Sequence, residues 1–91
     1  MSNTVEMKTY IIDCEKMPER EAAHEYLKGL FGFPEYYGGN LDALYDCLTD
    51  LPECVIRLEH PWALSKMGRY SGQILAVFSD AAKKGRIKLS D

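Results

Sequence analysis

Carboxylates, tyrosines and glycines are concentrated in residues 34–50, which read PEYYGGNLDALYDCLTD. Asp42 and Asp46 are four residues apart, so on a helix they share one face, one turn from each other. Between Pro34 and Cys54 there are five acids and neither Lys nor Arg. The five acids are Glu35, Asp42, Asp46, Asp50 and Glu53. An acidic helix that follows two tyrosines and two glycines indicates a surface for recognising a cationic partner.

The same residues are poorly arranged for catalysis or for metal binding. Two carboxylates one turn apart on an open face lack the desolvated pocket that shifts pKa values, so an enzyme using Asp42, Asp46 and a tyrosine is the weakest hypothesis. Cys47, Cys54 and His60 are irregularly spaced and have no evident fourth ligand. The GGN sequence is not followed by the Gly-Lys-Ser/Thr of a phosphate-binding loop. We therefore predict no catalytic residue, no metal and no cofactor.

Composition limits the class of protein and of partner. Ninety-one residues with 46% apolar content predict a single globular domain. The net charge of -3 argues against sequence-independent binding to nucleic acid and against binding to an anionic membrane. The polar start MSNTVEMK lacks the apolar centre of a signal peptide. Three cysteines, none in a C-x-x-C pair, are most simply reduced thiols, so we expect a cytoplasmic protein.

The elements that must position these residues follow from apolar spacing and from helix-breaking residues. Residues 1–8 are polar and unpatterned, which predicts a flexible leader ahead of a domain over residues 9–91. The predicted strands are 9–13, 54–59 and 86–90. The first predicted helix has Pro18 in its first turn and ends at Gly32. The others span about 40–50, form one turn within 61–67, and include 74–82 before Gly85. Helices between strands favour a parallel sheet, so the fold class is α/β.

The predicted helix at about 40–50 has two distinct faces. Asn40 is a plausible N-cap, and Pro52 follows the helix end. The apolar face carries Leu41, Leu44, Leu48 and Leu51. The opposite face, which must meet water or a partner, carries Asp42, Tyr45, Asp46 and Thr49.

Residues 34–50 closely resemble the signature of the barstar family, which are intracellular inhibitors of secreted, barnase-type ribonucleases. The resemblance extends over roughly residues 8–91, with the strands and helices in the same order. It implies a three-stranded parallel sheet covered by helices. It also implies a ribonuclease as the protein partner, bound without catalysis. Because the sharpest surface patch is charged, we expect a monomer and a 1:1 complex, although the sequence leaves the oligomeric state open.

The resemblance assigns roles to individual positions. Tyr36 corresponds to a tyrosine that stacks in the ribonuclease cleft, and Asp42 and Asp46 correspond to carboxylates that meet its cationic phosphate-binding residues. The other implied partner-binding residues are Tyr37, Gly38, Asn40, Leu41, Tyr45, Thr49 and Asp80. For Tyr37 a place in the core is an open alternative, since one of two adjacent tyrosines often packs inward.

Several positions depart from the barstar pattern. Tyr45 and Leu51 stand where the family has Trp, Asp80 stands for Glu, and Gly39 replaces an acid. These departures leave two functions open. One is inhibition of a barnase-type ribonuclease, and the other is a barstar-like adaptor or immunity protein for a different cationic toxin or regulatory partner.

Overall fold

The computed structural model describes residues 7–90 and contains one parallel three-stranded sheet. Its strands are β1 (Lys8–Asp13), β2 (Cys54–Glu59) and β3 (Ile87–Ser90), with β2 in the centre. β1 and β2 pair from Lys8 opposite Cys54 to Asp13 opposite Glu59, and Cys54 also lies opposite Ile87 of β3. The predicted α/β fold with a parallel sheet is confirmed.

Three α-helices and two 3-10 helices connect the strands of the described chain. The α-helices are α1 (Arg20–Phe31), α2 (Leu41–Thr49) and α3 (Arg69–Ala82). The 3-10 helices are Cys14–Lys16, directly after β1, and Pro61–Met67, directly before α3. The order matches the sequence prediction, including the irregular helical turn within 61–67, except that the 3-10 helix Cys14–Lys16 was not predicted.

The starts of β1, α1, α3 and β3 differ from the predicted ones, β3 beginning at Ile87, one residue later than predicted. β1 begins at Lys8, one residue before the predicted strand, and residues 1–6 of the predicted leader lie outside the described residues. Pro18 precedes α1, whose N-cap is Glu19, so it is not in the first helical turn as predicted. α3 begins directly after Gly68, five residues before the predicted 74–82 segment. The prediction began late because the first turn of α3 consists mostly of polar residues and glycine.

The core lies on one face of the sheet, between the strands and the helices. Ile12 and Ile56 are buried, whereas their neighbours Ile11 and Arg57 point to the exposed face. This alternation is the period of two expected for strands with one covered face. The largest helix side chains that complete the core are Leu27, Phe31, Leu44, Leu48, Ile74 and Phe78.

The state of the cysteines and the length of the helices can be read from the structure. Among the described residues all three cysteines carry free thiols, and Cys14 and Cys54 are buried. Burial raises the pKa of Cys14 to about 11, so this thiol stays protonated and unreactive near neutral pH. None of the helices in residues 7–90 is long and apolar enough to span a membrane.

Candidate functional site: the loop and helix of residues 36–50

Helix α2 is held in place by a polar cap at its start and by leucines along its inner side. The Asn40 side chain accepts a hydrogen bond from the Ala43 N–H at 2.8 Å, which confirms the predicted N-cap. Leu44 and Leu48 are completely buried, and Leu51 just beyond the helix is also buried. This inner side fixes the rotation of α2, so the opposite side must face outward.

The outward side of α2 carries carboxylates that have no partner within the described chain. Asp42, Asp46 and Asp50 are exposed and follow one another at four-residue intervals. None of the three forms an ion pair among residues 7–90. The Thr49 hydroxyl donates to the Asp46 backbone carbonyl at 2.9 Å, which leaves the Asp46 carboxylate free. The result is a row of unneutralised negative charge.

The two adjacent tyrosines of the loop point in different directions. Tyr36 is 87% exposed, the most exposed of the large hydrophobic side chains in the described chain. Tyr37 is half-buried, with its ring centroid 4.9 Å from that of Phe33. The Tyr37 hydroxyl lies 2.6 Å from Nδ1 of His24. The open question about Tyr37 therefore has a structural answer, because this side chain packs against the core and anchors the loop from within.

His24 of α1 connects the loop to α3. It is buried on α1, and its Nε2 lies 2.7 Å from the hydroxyl of Tyr70 on α3. A neutral imidazole has one donor and one acceptor nitrogen, so one tyrosine hydroxyl accepts from it while the other donates to it. Burial and then the nearby Arg20 charge lower the pKa of His24, which keeps the ring neutral at physiological pH. The loop is thus fixed by a Tyr37–His24–Tyr70 chain of hydrogen bonds.

The two glycines of the loop have separate structural reasons. Gly39 has a φ of +67°, a left-handed conformation that other residues rarely adopt. A Cβ atom at Gly38 would lie 3.1 Å from the side-chain nitrogen of Asn40 and would crowd the α2 cap. Glycine at both positions therefore lets the loop turn tightly into α2.

The remaining predicted binding residues are more varied in their surroundings. Leu41, Tyr45 and Thr49 are half-buried. Tyr45 packs against the core, so it is more enclosed than its position on the outward face predicted. Asp80 is exposed on α3 with its carboxylate 3.8 Å from Nζ of Lys83. No hydrogen bond or ion pair within the described chain joins Asp80 to the loop or to α2.

Comparison with known proteins identifies the family to which this arrangement belongs. A family model described as "Barstar (barnase inhibitor)" matches residues 7–89. The chain belongs to the barstar family. A related protein of Bacillus subtilis (strain 168), named "Putative ribonuclease inhibitor YrdF", is 37% identical over 81 residues, which cover 86% of this chain and 89% of that protein. The barstar resemblance inferred from residues 34–50 is confirmed.

Sequence reasoning missed two residues that support the site in this member of the barstar family. His24 showed no chemical arrangement in the sequence, although it lies three residues before Leu27 and seven before Phe31, both buried. That spacing is the available signal for a place on the inner face of α1. For Tyr70 the same kind of signal was available, since it lies four residues before Ile74 and eight before Phe78, both buried.

The structure also brings together a second group of acids, at the far ends of β1 and β2. The Nδ1 atom of His60 lies 3.1 Å from the Asp13 carboxylate and 3.7 Å from that of Glu15. These are metal-ligating residue types, with ligand atoms within 4.8 Å of one another, but they pair among themselves. The hydrogen bond that His60 donates to the Asp13 carboxylate raises the pKa of His60 and lowers the pKa of Asp13. This barstar family member therefore has a histidine-paired acid cluster as well as the unpaired acids of α2.

Proposed function

We propose that this protein inhibits a barnase-type ribonuclease by covering its cationic active site with the loop and α2. The observation that carries the proposal is the row of exposed carboxylates on α2 without an ion-pair partner among residues 7–90. Membership of the barstar family, described as barnase inhibitors, supports the same function. The name of the Bacillus subtilis relative gives further support.

Charge complementarity explains how such a surface blocks a ribonuclease. An enzyme that binds RNA phosphates presents Arg, Lys and His in its cleft, and the carboxylates of Asp42 and Asp46 take the place of those phosphates. Hydrogen bonds between guanidinium and carboxylate groups are short and often bidentate. Removing one partner of a buried ion pair costs about 3–5 kcal/mol, because the other charge stays buried without compensation. Asp46, near the middle of the row, is the residue that we expect to contribute most.

The loop adds an apolar contact to these charges. Tyr36 has a ring that is 87% exposed and therefore available to enter a cleft. The half-buried Tyr37 and the exposed Gly38 hold the loop, and Asn40 fixes the start of α2. Leu41, Tyr45 and Thr49 border the charged row and would form its rim, while Asp80 on α3 would extend the acidic surface. The inhibitor performs no reaction, so its action is a binding equilibrium.

Titration of the ribonuclease with this protein tests the proposal. We expect a monomeric inhibitor to abolish RNA cleavage at one equivalent, without itself binding RNA or membranes. Asp46→Ala should weaken inhibition by about 100-fold or more. Lys88→Ala, at an exposed position of β3, is the control and should change inhibition by less than about twofold. Equal effects of the two substitutions would show that the proposed face is wrong.

The departures from the barstar pattern favour one second candidate, an adaptor or immunity protein for a different cationic toxin or regulatory partner. Tyr45 and Leu51 belong to α2 and its end, next to the acidic row, and Asp80 reaches about one methylene less far than Glu. Such changes alter which partner fits. Recovery of a partner without ribonuclease activity from cytoplasmic extract, lost with Asp46→Ala, would favour this candidate.

A further inference from the structure

A groove of about 250 Å³ lies between the end of α1, the following loop and the second half of α2. Its apolar wall is formed by Phe31, Phe33 and Leu51, and its rim includes Tyr36, Asp46 and Asp50. The rings of Phe31 and Phe33 stack with centroids 5.5 Å apart, so this wall is fixed by the core. The apolar wall of the groove is therefore formed by side chains that the core holds in place.

The charged residues that line the groove are both acidic. Asp46 and Asp50 are exposed one helical turn apart, and no Lys, Arg or His lines the groove among the described residues. The C-terminal end of α2 points its backbone carbonyls toward Asp50, and the last turn, fully described, contains no basic residue. A helix C-terminus carries partial negative charge and favours a cation. Two carboxylates and a helix end thus act on the same space.

We propose that this groove binds an arginine side chain of the inhibited ribonuclease, with Asp50 as a specificity-determining residue beside Asp46. The inference rests on the proposed function and adds a binding position to it. The aliphatic stem of arginine packs on an apolar wall while its charged end stays at the rim. Its planar guanidinium forms paired bonds with carboxylates and stacks on an aromatic ring, which Tyr36 offers at the rim.

Asp50 is unfavourably placed for the stability of the free protein. It follows another acid at four residues' distance and stands at the C-terminal end of α2, where negative charge is disfavoured. A residue present only to stabilise the helix would show the opposite preference. Asp50→Asn should therefore leave the unfolding temperature unchanged or raise it, which separates a loss of binding from a loss of folding.

The groove can be tested first without a ribonuclease. In ¹⁵N-labelled wild-type protein, millimolar N-acetyl-arginine methylamide should shift the backbone amide signals of Gly32, Asp50 and Leu51. The uncharged analogue N-acetyl-citrulline methylamide should not. The arginine shifts should disappear with Asp50→Asn and persist with Glu53→Gln, which removes an exposed charge outside the groove lining. Shifts that are equal in the two variants, or equal for both compounds, would overturn the proposal.

Binding of a barnase-type ribonuclease gives the second test. Asp50→Asn should weaken it by about tenfold or more, whereas Glu53→Gln should change it by less than about twofold. Equal effects of these two substitutions would overturn the role of Asp50. The proposed function would still be supported in that case if Asp46→Ala had a large effect on binding. Failure of the wild-type protein to bind the ribonuclease, with arginine shifts in the groove, would instead contradict the proposed function and keep the groove as an arginine site.

Discussion

Two groups of acids in the described chain differ in their surroundings, because only one of them pairs with a side chain of the protein itself. At the end of the sheet, Asp13 and Glu15 lie 3.1 and 3.7 Å from one histidine nitrogen. On α2, Asp42, Asp46 and Asp50 are exposed and form no ion pair in the described chain. A carboxylate that is already paired within the protein is less available to an approaching partner. The difference indicates which acids serve the fold and which are left for recognition.

The two adjacent tyrosines of the loop repeat this division. Tyr37 is held inside by His24 at 2.6 Å, whereas the ring of Tyr36 is 87% exposed. The same residue type, at consecutive positions, therefore contributes to stability in one case and offers surface in the other. Substitution of each tyrosine gives a direct way to separate the two roles.

Between the two tyrosines, the larger expected effect is on binding, from Tyr36→Ala. Losing a large aromatic contact from a buried interface should weaken ribonuclease binding by about 1.5–3 kcal/mol, while the free energy of unfolding should change by less than about 0.5 kcal/mol. Calorimetric titration and urea denaturation measure the two quantities. A substantial loss of stability with unchanged binding would place Tyr36 with the fold and break the comparison.

A smaller effect, on stability, is expected from Tyr37→Phe. The substitution keeps the ring but removes the hydroxyl that pairs with Nδ1 of the buried His24. Leaving that nitrogen without a partner should lower the free energy of unfolding by about 1–2 kcal/mol, as measured by urea denaturation. Tyr36→Phe is the matched control and should have no measurable effect. Equal stability of the two variants would mean that water readily replaces the lost hydroxyl.

The smallest effect is expected at the half-exposed pair of Asp13 and His60, and it depends on pH. The pKa of His60 is raised above 6.5, so its contribution is complete below that pH and is lost as pH rises through the folded-state pKa. The pKa of Asp13 is lowered below 3.8, so its contribution is present above that pH and is lost as pH falls through its folded-state value. The pair should therefore stabilise the fold most between these two ordinary values.

Asp13→Asn tests this window, because Asn keeps the oxygen that accepts from the Glu15 N–H and removes only the charge. The stability lost by this variant should be larger at about pH 5.5 than at about pH 8.5 in urea denaturation. Asp46→Asn, which removes an unpaired charge, should show no such loss at either pH. An effect of Asp13→Asn that does not depend on pH would contradict this prediction, because the charge of the pair would then contribute nothing to stability.

Local features of α2 were predictable from the sequence because they depend on neighbours in the chain. The Asn40 cap, the burial of Leu44 and Leu48 and the exposure of Asp42 and Asp46 all follow from helical geometry. The parallel sheet followed from the alternation of strands and helices, together with the barstar resemblance. These features depend on residues close together in the sequence or on the order of strands and helices, and not on distances across the fold.

Contacts between distant parts of the chain were not predictable in the same way. His24 and Tyr70 are 46 residues apart, and Asp13 and His60 are 47 residues apart. Their meeting depends on how α1 packs beside α3 and on where β1 and β2 end. Tyr45 was placed correctly around α2, but its partial burial depends on the core against which it packs. Without the packing, a sequence cannot distinguish paired acids from unpaired ones.

The most direct test of the account is calorimetry of one barnase-type ribonuclease with Asp46→Asn and Asp13→Asn, measured side by side near neutral pH. Both substitutions are isosteric and remove one negative charge. The account predicts a loss of about 100-fold or more in affinity for Asp46→Asn and less than about twofold for Asp13→Asn. Similar losses for both variants would show that net charge, and not the unpaired row on α2, determines binding.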